Sequence, residues 1–111
     1  MYCLFCKFAN QEIPVTFLRL TDEVFAIADI SPQAPTHLLV IPKLHVENAA
    51  ELARQSPQIL AQLFQVAGDL IEELKLDGYR MVFNTGTSAG QSVFHAHLHL
   101  LAGRAFAWPP G

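Results

Sequence analysis

The stretch "FHAHLHLLA", residues 94–102, alternates polar and apolar side chains with a period of two. A strand sends successive side chains to opposite faces, whereas a helix brings residues three and four apart together, so this run reads as a β-strand. One face then carries His95, His97 and His99, three of the chain's five histidines, and the other Ala96, Leu98 and Leu100. Such a row suits metal binding, an acid/base pair or a nucleophile with helpers; the plainer alternative is hydrogen-bonded histidines on a polar sheet face. Positions i and i+4 on a strand lie ~13 Å apart, so His95 and His99 do not share one ion, whereas adjacent pairs can.

The rest of the chain supplies partners for this strand. "VTFLRL" (15–20) and "EVFAIADI" (23–30) read as a hairpin turning at Thr21-Asp22, and "THLLVIPK" (36–43) follows the turn-rich "SPQAP" as a third strand. "VENAAELAR" reads as a short helix. A long helix follows, with Ser56 as its cap, Pro57 at its first position and Gly78 placed to end it. Its apolar stripe runs through Ile59, Leu60, Leu63, Phe64, Ala67, Leu70, Ile71 and Leu74. "YRMVFN" (79–84) is a fourth strand, "TGTSAGQS" a loop, and 94–102 the fifth strand. This order predicts an α+β fold: an antiparallel sheet of about five strands, with one long and one short helix on one face. With 111 residues the expected organisation is a single domain, 1–111.

Composition removes several classes of function. Apolar residues make up 51% and charged ones 15%, as in a well-buried globular fold, and the net charge of −3 comes without a basic run. A nucleic-acid-binding surface is therefore not expected. No apolar run approaches ~20 residues, so no membrane span is expected. The start, "MYCLFCKFANQEIP", lacks the basic and apolar regions of a secretory signal, so the expected location is cytoplasmic. The only cysteines, Cys3 and Cys6, form a C-x-x-C pair. Three readings of that pair are open: a redox dithiol, half of a zinc site, or two small buried residues.

Upstream of the histidines, "NTGTSAGQS" contributes Asn84, two glycines and Ser92. Backbone N–H groups of a glycine-containing loop can approach an anion such as phosphate. Beside the histidines, this points to phosphoryl or nucleotidyl transfer with an imidazole nucleophile.

"HAHLHLL" fits the histidine triad (HIT) pattern, His-φ-His-φ-His-φ-φ with φ apolar. "DISPQAPTHLLVIPKLH", "GYRMVFNTG", "GQSVFHAHLHLLAGR" and the terminal "WPPG" resemble the Hint branch of that family, the purine nucleoside phosphoramidases, from Cys3 to Gly111. The resemblance implies a HIT-like fold, with the sheet extended across a homodimer, and hydrolysis of the P–N bond of purine nucleoside 5′-phosphoramidates such as AMP-NH2 or AMP-lysine. His97 would be the nucleophile, forming a covalent nucleotidyl-imidazole that water then hydrolyses. A neutral imidazole, with an ordinary pKa near ~6.5, suits both steps. His99 would contact phosphoryl oxygens, Ser92 would lie near the leaving group, and His37 would support His97. Gly90, Gln91 and Ser92 match the phosphate-binding loop, with Ala89 standing where many Hint sequences carry another glycine, and Asn84 matches a phosphate- or ribose-side contact. Asp29 matches the ribose-binding carboxylate, and Ile30, Phe5, Phe8 and Ile27 would form an apolar purine slot. The competing readings are ordinary core for the apolar four and a turn-forming role for Asp29.

Many bacterial members carry the cysteine pair, and the resemblance then implies a structural zinc ion on Cys3, Cys6, His45 and His95. Such a closed Cys2His2 set has no open position, and no cofactor is expected for catalysis. The exposed edges of a small sheet agree with the implied homodimer. The apolar tail "AFAWPPG" is expected to reach the partner's site, the alternative being that Trp108 folds back on its own sheet. Two other functions stay open: dinucleoside polyphosphate hydrolysis, as in the Fhit branch, and a nucleotide-binding or scaffold protein with little turnover.

Overall fold

The structure, a computed structural model, describes residues 2–111. Its elements run α1 (Leu4–Ala9), β1 (Arg19–Leu20), β2 (Val24–Ala28), β3 (Thr36–Pro42), α2 (Ala49–Gln55), α3 (Pro57–Glu73), β4 (Tyr79–Val82), a 3-10 turn (Thr87–Ala89) and β5 (Leu98–Ala102). The strands form one antiparallel sheet in the order β1-β2-β3-β5-β4. The expected five-stranded antiparallel architecture is therefore present.

Alternation along the strands divides the interior into two cores. Val24, Ala26, Leu38, Val40, Leu98 and Leu100 pack with Leu52 of α2 and Leu63, Ala67 and Leu70 of α3. The residues between them, Phe25, Ile27, Leu39 and Ile41, pack with Phe5 and with Leu4 and Phe8 of α1 on the opposite face. Helices thus cover both faces, and α1 is an additional third helix. At six residues it is too short to announce itself by periodicity.

Local chemistry explains where the elements end. The Asn48 side chain accepts the Glu51 N–H at 3.0 Å and caps α2. Ser56 occupies the N-cap position of α3 without a side-chain bond, and Pro57 follows as expected. The helix stops at Glu73 rather than near Gly78, because the chain reverses through Lys75, whose φ is +54°. Gly103, at φ +96°, closes β5 against Pro35; a Cβ there would stand 2.8 Å from the proline Cβ.

Every strand is shorter than expected, the first and the fifth most of all. Of residues 15–20 only Arg19–Leu20 join the ladder, since Val15 and Phe17 turn into the core on the α1 side. The fifth strand begins at Leu98, not at Phe94. Residues 93–95 bend away, and the Ala96 N–H donates to Val46 O at 2.7 Å rather than entering the ladder. His95 and His97 therefore precede the strand, and only His99 stands in it, opposite Leu39 of β3 and Val82 of β4. The three imidazoles are not a row on one strand face: competing bonds draw the first histidine elsewhere. Among the described residues no helix is long and apolar enough to cross a membrane.

Candidate active site and metal centre

The bend before β5 brings His95 to the start of α1. Its Nδ1 lies 3.4 Å from Cys3 Sγ, 3.6 Å from Cys6 Sγ and 3.1 Å from His45 Nδ1, and Cys6 Sγ lies 3.3 Å from His45 Nδ1. One donor atom from each of the four residues falls within 4.8 Å of all the others. Tetrahedral zinc, with bonds of about 2.3 Å to sulfur and 2.0–2.1 Å to nitrogen, holds its ligand atoms roughly 3.3–3.8 Å apart, so the cluster has the right size. The fully buried His95 is also prepared for this role. Its Nε2–H donates to Pro42 O at 2.7 Å, which leaves Nδ1 as the lone-pair nitrogen facing the cysteines. Without a cation, burial and the neighbouring Cys3 push the Cys6 thiol up to about 11. Two soft thiol donors and two imidazoles make a zinc-type set.

On the same sheet face lies a cavity of about 550 Å³. His97, His99, His37, Asp29, Asn84, Gly90 and Ser92 line its polar part; Leu4, Phe5, Phe8, Val15, Ile27 and Leu39 line its apolar part. Ile30 stands at the rim, 97% exposed, with no core packing of its own. An open cleft of about 610 Å³ between the first strands and the end of α3 offers Arg19 as its cation, and that side chain is paired to Glu73 at 3.0 Å.

Backbone groups fix the protons on the histidines. The Gln33 N–H donates to His37 Nδ1 at 3.0 Å, so neutral His37 carries its proton on Nε2. That Nε2–H faces His99 Nδ1 at 2.9 Å and Asp29 Oδ2 at 3.4 Å. With Nδ1 accepting, neutral His99 keeps its own proton on Nε2. His97 has the opposite tautomer: its Nδ1–H donates to His95 O at 2.8 Å, leaving a lone pair on Nε2. Burial lowers the His97 pKa below its ordinary value. Burial, then the neighbouring His97 and His37, lower that of His99 to about 4. Asp29 forms a turn, its Oδ1 accepting the Ser31 N–H at 2.8 Å, and its carboxylate also lines the cavity.

The loop before the histidines departs from expectation. The N–H groups of Ala89 and Gln91 both donate to Gly86 O, and that of Gly90 donates to Thr87 O. The Gly90 and Gln91 amides are thus spent inside the loop rather than presented as a phosphate cradle. The buried Gln91 side chain braces the loop instead: Oε1 accepts the Gly86 N–H at 2.9 Å, and Nε2 donates to Glu47 O at 2.7 Å and Val93 O at 3.2 Å. Ser92, exposed beside the histidines, remains the loop's hydroxyl at the cavity.

Leu4, Val15, Leu39 and the Gln33 backbone were not foreseen in the site. Leu4, Phe5 and Phe8 share a helical face, the one signal that could have found Leu4. Backbone roles such as that of Gln33 leave no mark on side-chain chemistry. At the C-terminus, the Phe106 ring lies against the Arg80 and Arg104 guanidinium groups at 5.0 and 4.2 Å. Arg80 donates to Ala107 O and Pro110 O at 3.0 and 3.2 Å. The tail is tied to its own β4, while Trp108 projects outward, 85% exposed.

A half-buried imidazole pair of fixed tautomers thus lies beside a carboxylate and a loop hydroxyl in one cavity of a small α+β sheet. The HIT domain family model matches residues 10–106, and the chain belongs to that family. It is 44% identical over 111 residues to a 14 kDa zinc-binding protein of Zea mays, covering 97% of this chain and 87% of the relative. A solved HIT family hydrolase from Legionella pneumophila superposes with a TM-score of 0.93 at 46% identity, covering 99% of this chain and all of that one. Another, from Clostridium thermocellum, gives 0.89 at 42% identity over 95% and 93% of the two chains.

Proposed function

We propose that the protein hydrolyses the P–N bond of purine nucleoside 5′-phosphoramidates through a covalent nucleotidyl-histidine. The observation that carries this reading is the His97 tautomer: with Nδ1–H held by His95 O, the reactive lone pair belongs to Nε2. His97 Nε2 attacks the α-phosphorus, the P–N bond to the amine breaks, and Ser92 passes a proton from solvent to the departing nitrogen. His99 Nε2–H donates to a phosphoryl oxygen as charge builds. Water then attacks the same phosphorus, the P–N bond to His97 breaks, and the nucleoside monophosphate leaves. Asp29 receives the ribose hydroxyls beside Asn84, and the apolar end of the cavity takes the purine.

The metal corner is read as structural zinc on Cys3, Cys6, His45 and His95. The donor spacing and the bond from His95 to Pro42 O support it. A four-ligand site leaves no position for substrate, so the reaction is assigned to the histidines. Thiolate ligands that must stay reduced suit the cytoplasm. The working unit is a homodimer joined along the open edge of β4, where Tyr79 and, on α3, Phe64 are exposed. The free Trp108 is then available to the partner's leaving-group side.

Rapid quench of the protein with adenosine 5′-phosphoramidate should trap an AMP adduct on His97, and His97→Ala should abolish turnover while AMP still binds. Light scattering on the same sample should give twice the mass of one chain. An active His97→Ala protein, or faster turnover of dinucleoside polyphosphates than of phosphoramidates, would overturn the reading.

A further inference from the structure

Phe5 lies between Cys3 and Cys6, separated from the first by Leu4 alone. Its side chain is only 4% exposed, so it offers little surface to a ligand, although it borders the cavity. What the ring meets is imidazole. It stands edge-on to His95, with centroids 5.8 Å apart at 84°, and to His97, with centroids 5.0 Å apart at 75°. The His97 ring also neighbours that of His99 at 5.0 Å. A single hydrogen bond from Nδ1 leaves an imidazole free to swing about its Cβ–Cγ bond, and a swing would break the bond to His95 O, put a C–H where each nitrogen stood and release the choice of tautomer. Packing of the ring faces opposes that motion.

We propose that Phe5 is a positioning residue for His97: held beside the Cys2His2 corner by its two flanking cysteines, its ring keeps the imidazole in the orientation that presents Nε2 to substrate. The inference rests on the reading of His97 as nucleophile and extends it. Purine recognition then falls to Leu4, Phe8, Val15, Ile27 and Leu39, and the metal corner affects the reaction only through where α1 holds this ring. A wall residue and a positioning residue differ in what their loss does. Removing a wall raises KM for substrates that carry a base. Removing a positioner lowers kcat, and does so equally for a substrate without one.

The test uses zinc-loaded wild-type protein, Phe5→Leu and Phe5→Met, two substitutions that keep the site apolar and close to its original volume. Zinc content should be the same in all three. At about pH 8, where imidazoles are neutral, long-range proton–nitrogen NMR should show His97 as the Nδ1–H tautomer in wild type and as a mixture in the variants. The variants should lose about fivefold in kcat on adenosine 5′-phosphoramidate and on base-free ribose 5-phosphoramidate alike, the size expected for one aromatic contact. A pure Nδ1–H signature in both variants, or a loss confined to KM of the base-bearing substrate, would overturn the proposal. If wild type turns over neither substrate, the phosphoramidase reading fails, and the tautomer measurement still decides the role of Phe5. Should Phe5→Leu fail to fold, Phe5→Met carries the same comparison.

Discussion

Gln91→Met replaces the loop brace by an apolar side chain of equal length, leaving backbone and volume nearly unchanged. Three hydrogen bonds go: from Gly86 N–H to Oε1, and from Nε2 to Glu47 O and Val93 O. At about 1 kcal/mol each they account for roughly 3 kcal/mol, and leaving their backbone partners unpaired at a buried position adds to that, while water entering from the loop's open side takes some back. A net loss of about 3 kcal/mol is the working value. In a domain of this size that lowers Tm by roughly 10–20 °C. Urea unfolding and calorimetry at one fixed protein concentration are the assays, because dimerisation would otherwise shift the midpoint. The loop carries Ser92, so kcat/KM should fall as well, by about tenfold if Ser92 relays the leaving-group proton. Stability within about 0.5 kcal/mol of wild type would refute the brace. Unchanged stability with a raised KM would return Gln91 to the phosphate-contact role that its loop position suggested.

Protein purified under reducing, chelator-free conditions should contain one zinc per chain, and Cys6→Ser should lose it; chelation should lower thermal stability while leaving residual turnover, and metal analysis without zinc would remove the assignment. His99 gives a pH signature: its folded-state pKa, lowered to about 4, lies below the ordinary histidine value. The unfolded chain therefore binds the extra proton between those two values, so this stabilisation is complete above about pH 6.5 and falls away as pH drops toward 4. After allowance for solvent screening at a half-buried group it is worth about 1–2 kcal/mol, and urea midpoints for wild type and His99→Asn should converge on acidification. Parallel pH profiles for the two proteins would contradict the shift.

Sheet and long helix were legible because their burial follows simple periods. Leu98, Leu100, Leu38 and Val40 alternate inward, and Leu63, Ala67 and Leu70 recur at helical spacing, so the residues that build the first core announce themselves. The polar half of the site was also readable by residue type: His37, His97, His99, Asp29, Asn84 and Ser92 all line one cavity. What alternation could not disclose was which residues leave the ladder. His95 stands between apolar residues at the same two-residue spacing as His99, yet its ring is bound to Pro42 O and turned toward Cys3, some ninety positions away in sequence. A distant partner of that kind competes with strand pairing and leaves no local trace.

The same bend gives His97 its chemistry. In a regular strand a backbone carbonyl such as that of His95 would be committed to a neighbouring strand. Residues 93–95 have left the ladder, and the His95 carbonyl accepts the His97 Nδ1–H. His95 thus joins both halves of the site: its ring closes the Cys2His2 corner, and its carbonyl orients the proposed nucleophile two residues later. Substituting its side chain disturbs the corner directly and the carbonyl only through the backbone. His95→Cys, which keeps a zinc-type donor, should therefore preserve more of the His97 Nδ1–H tautomer than His95→Ala, measured by the same NMR experiment with zinc content determined in parallel. Equal retention of the tautomer in a zinc-loaded His95→Cys protein and a zinc-free His95→Ala protein would mean that the bend holds without the corner, and that the two halves are neighbours only.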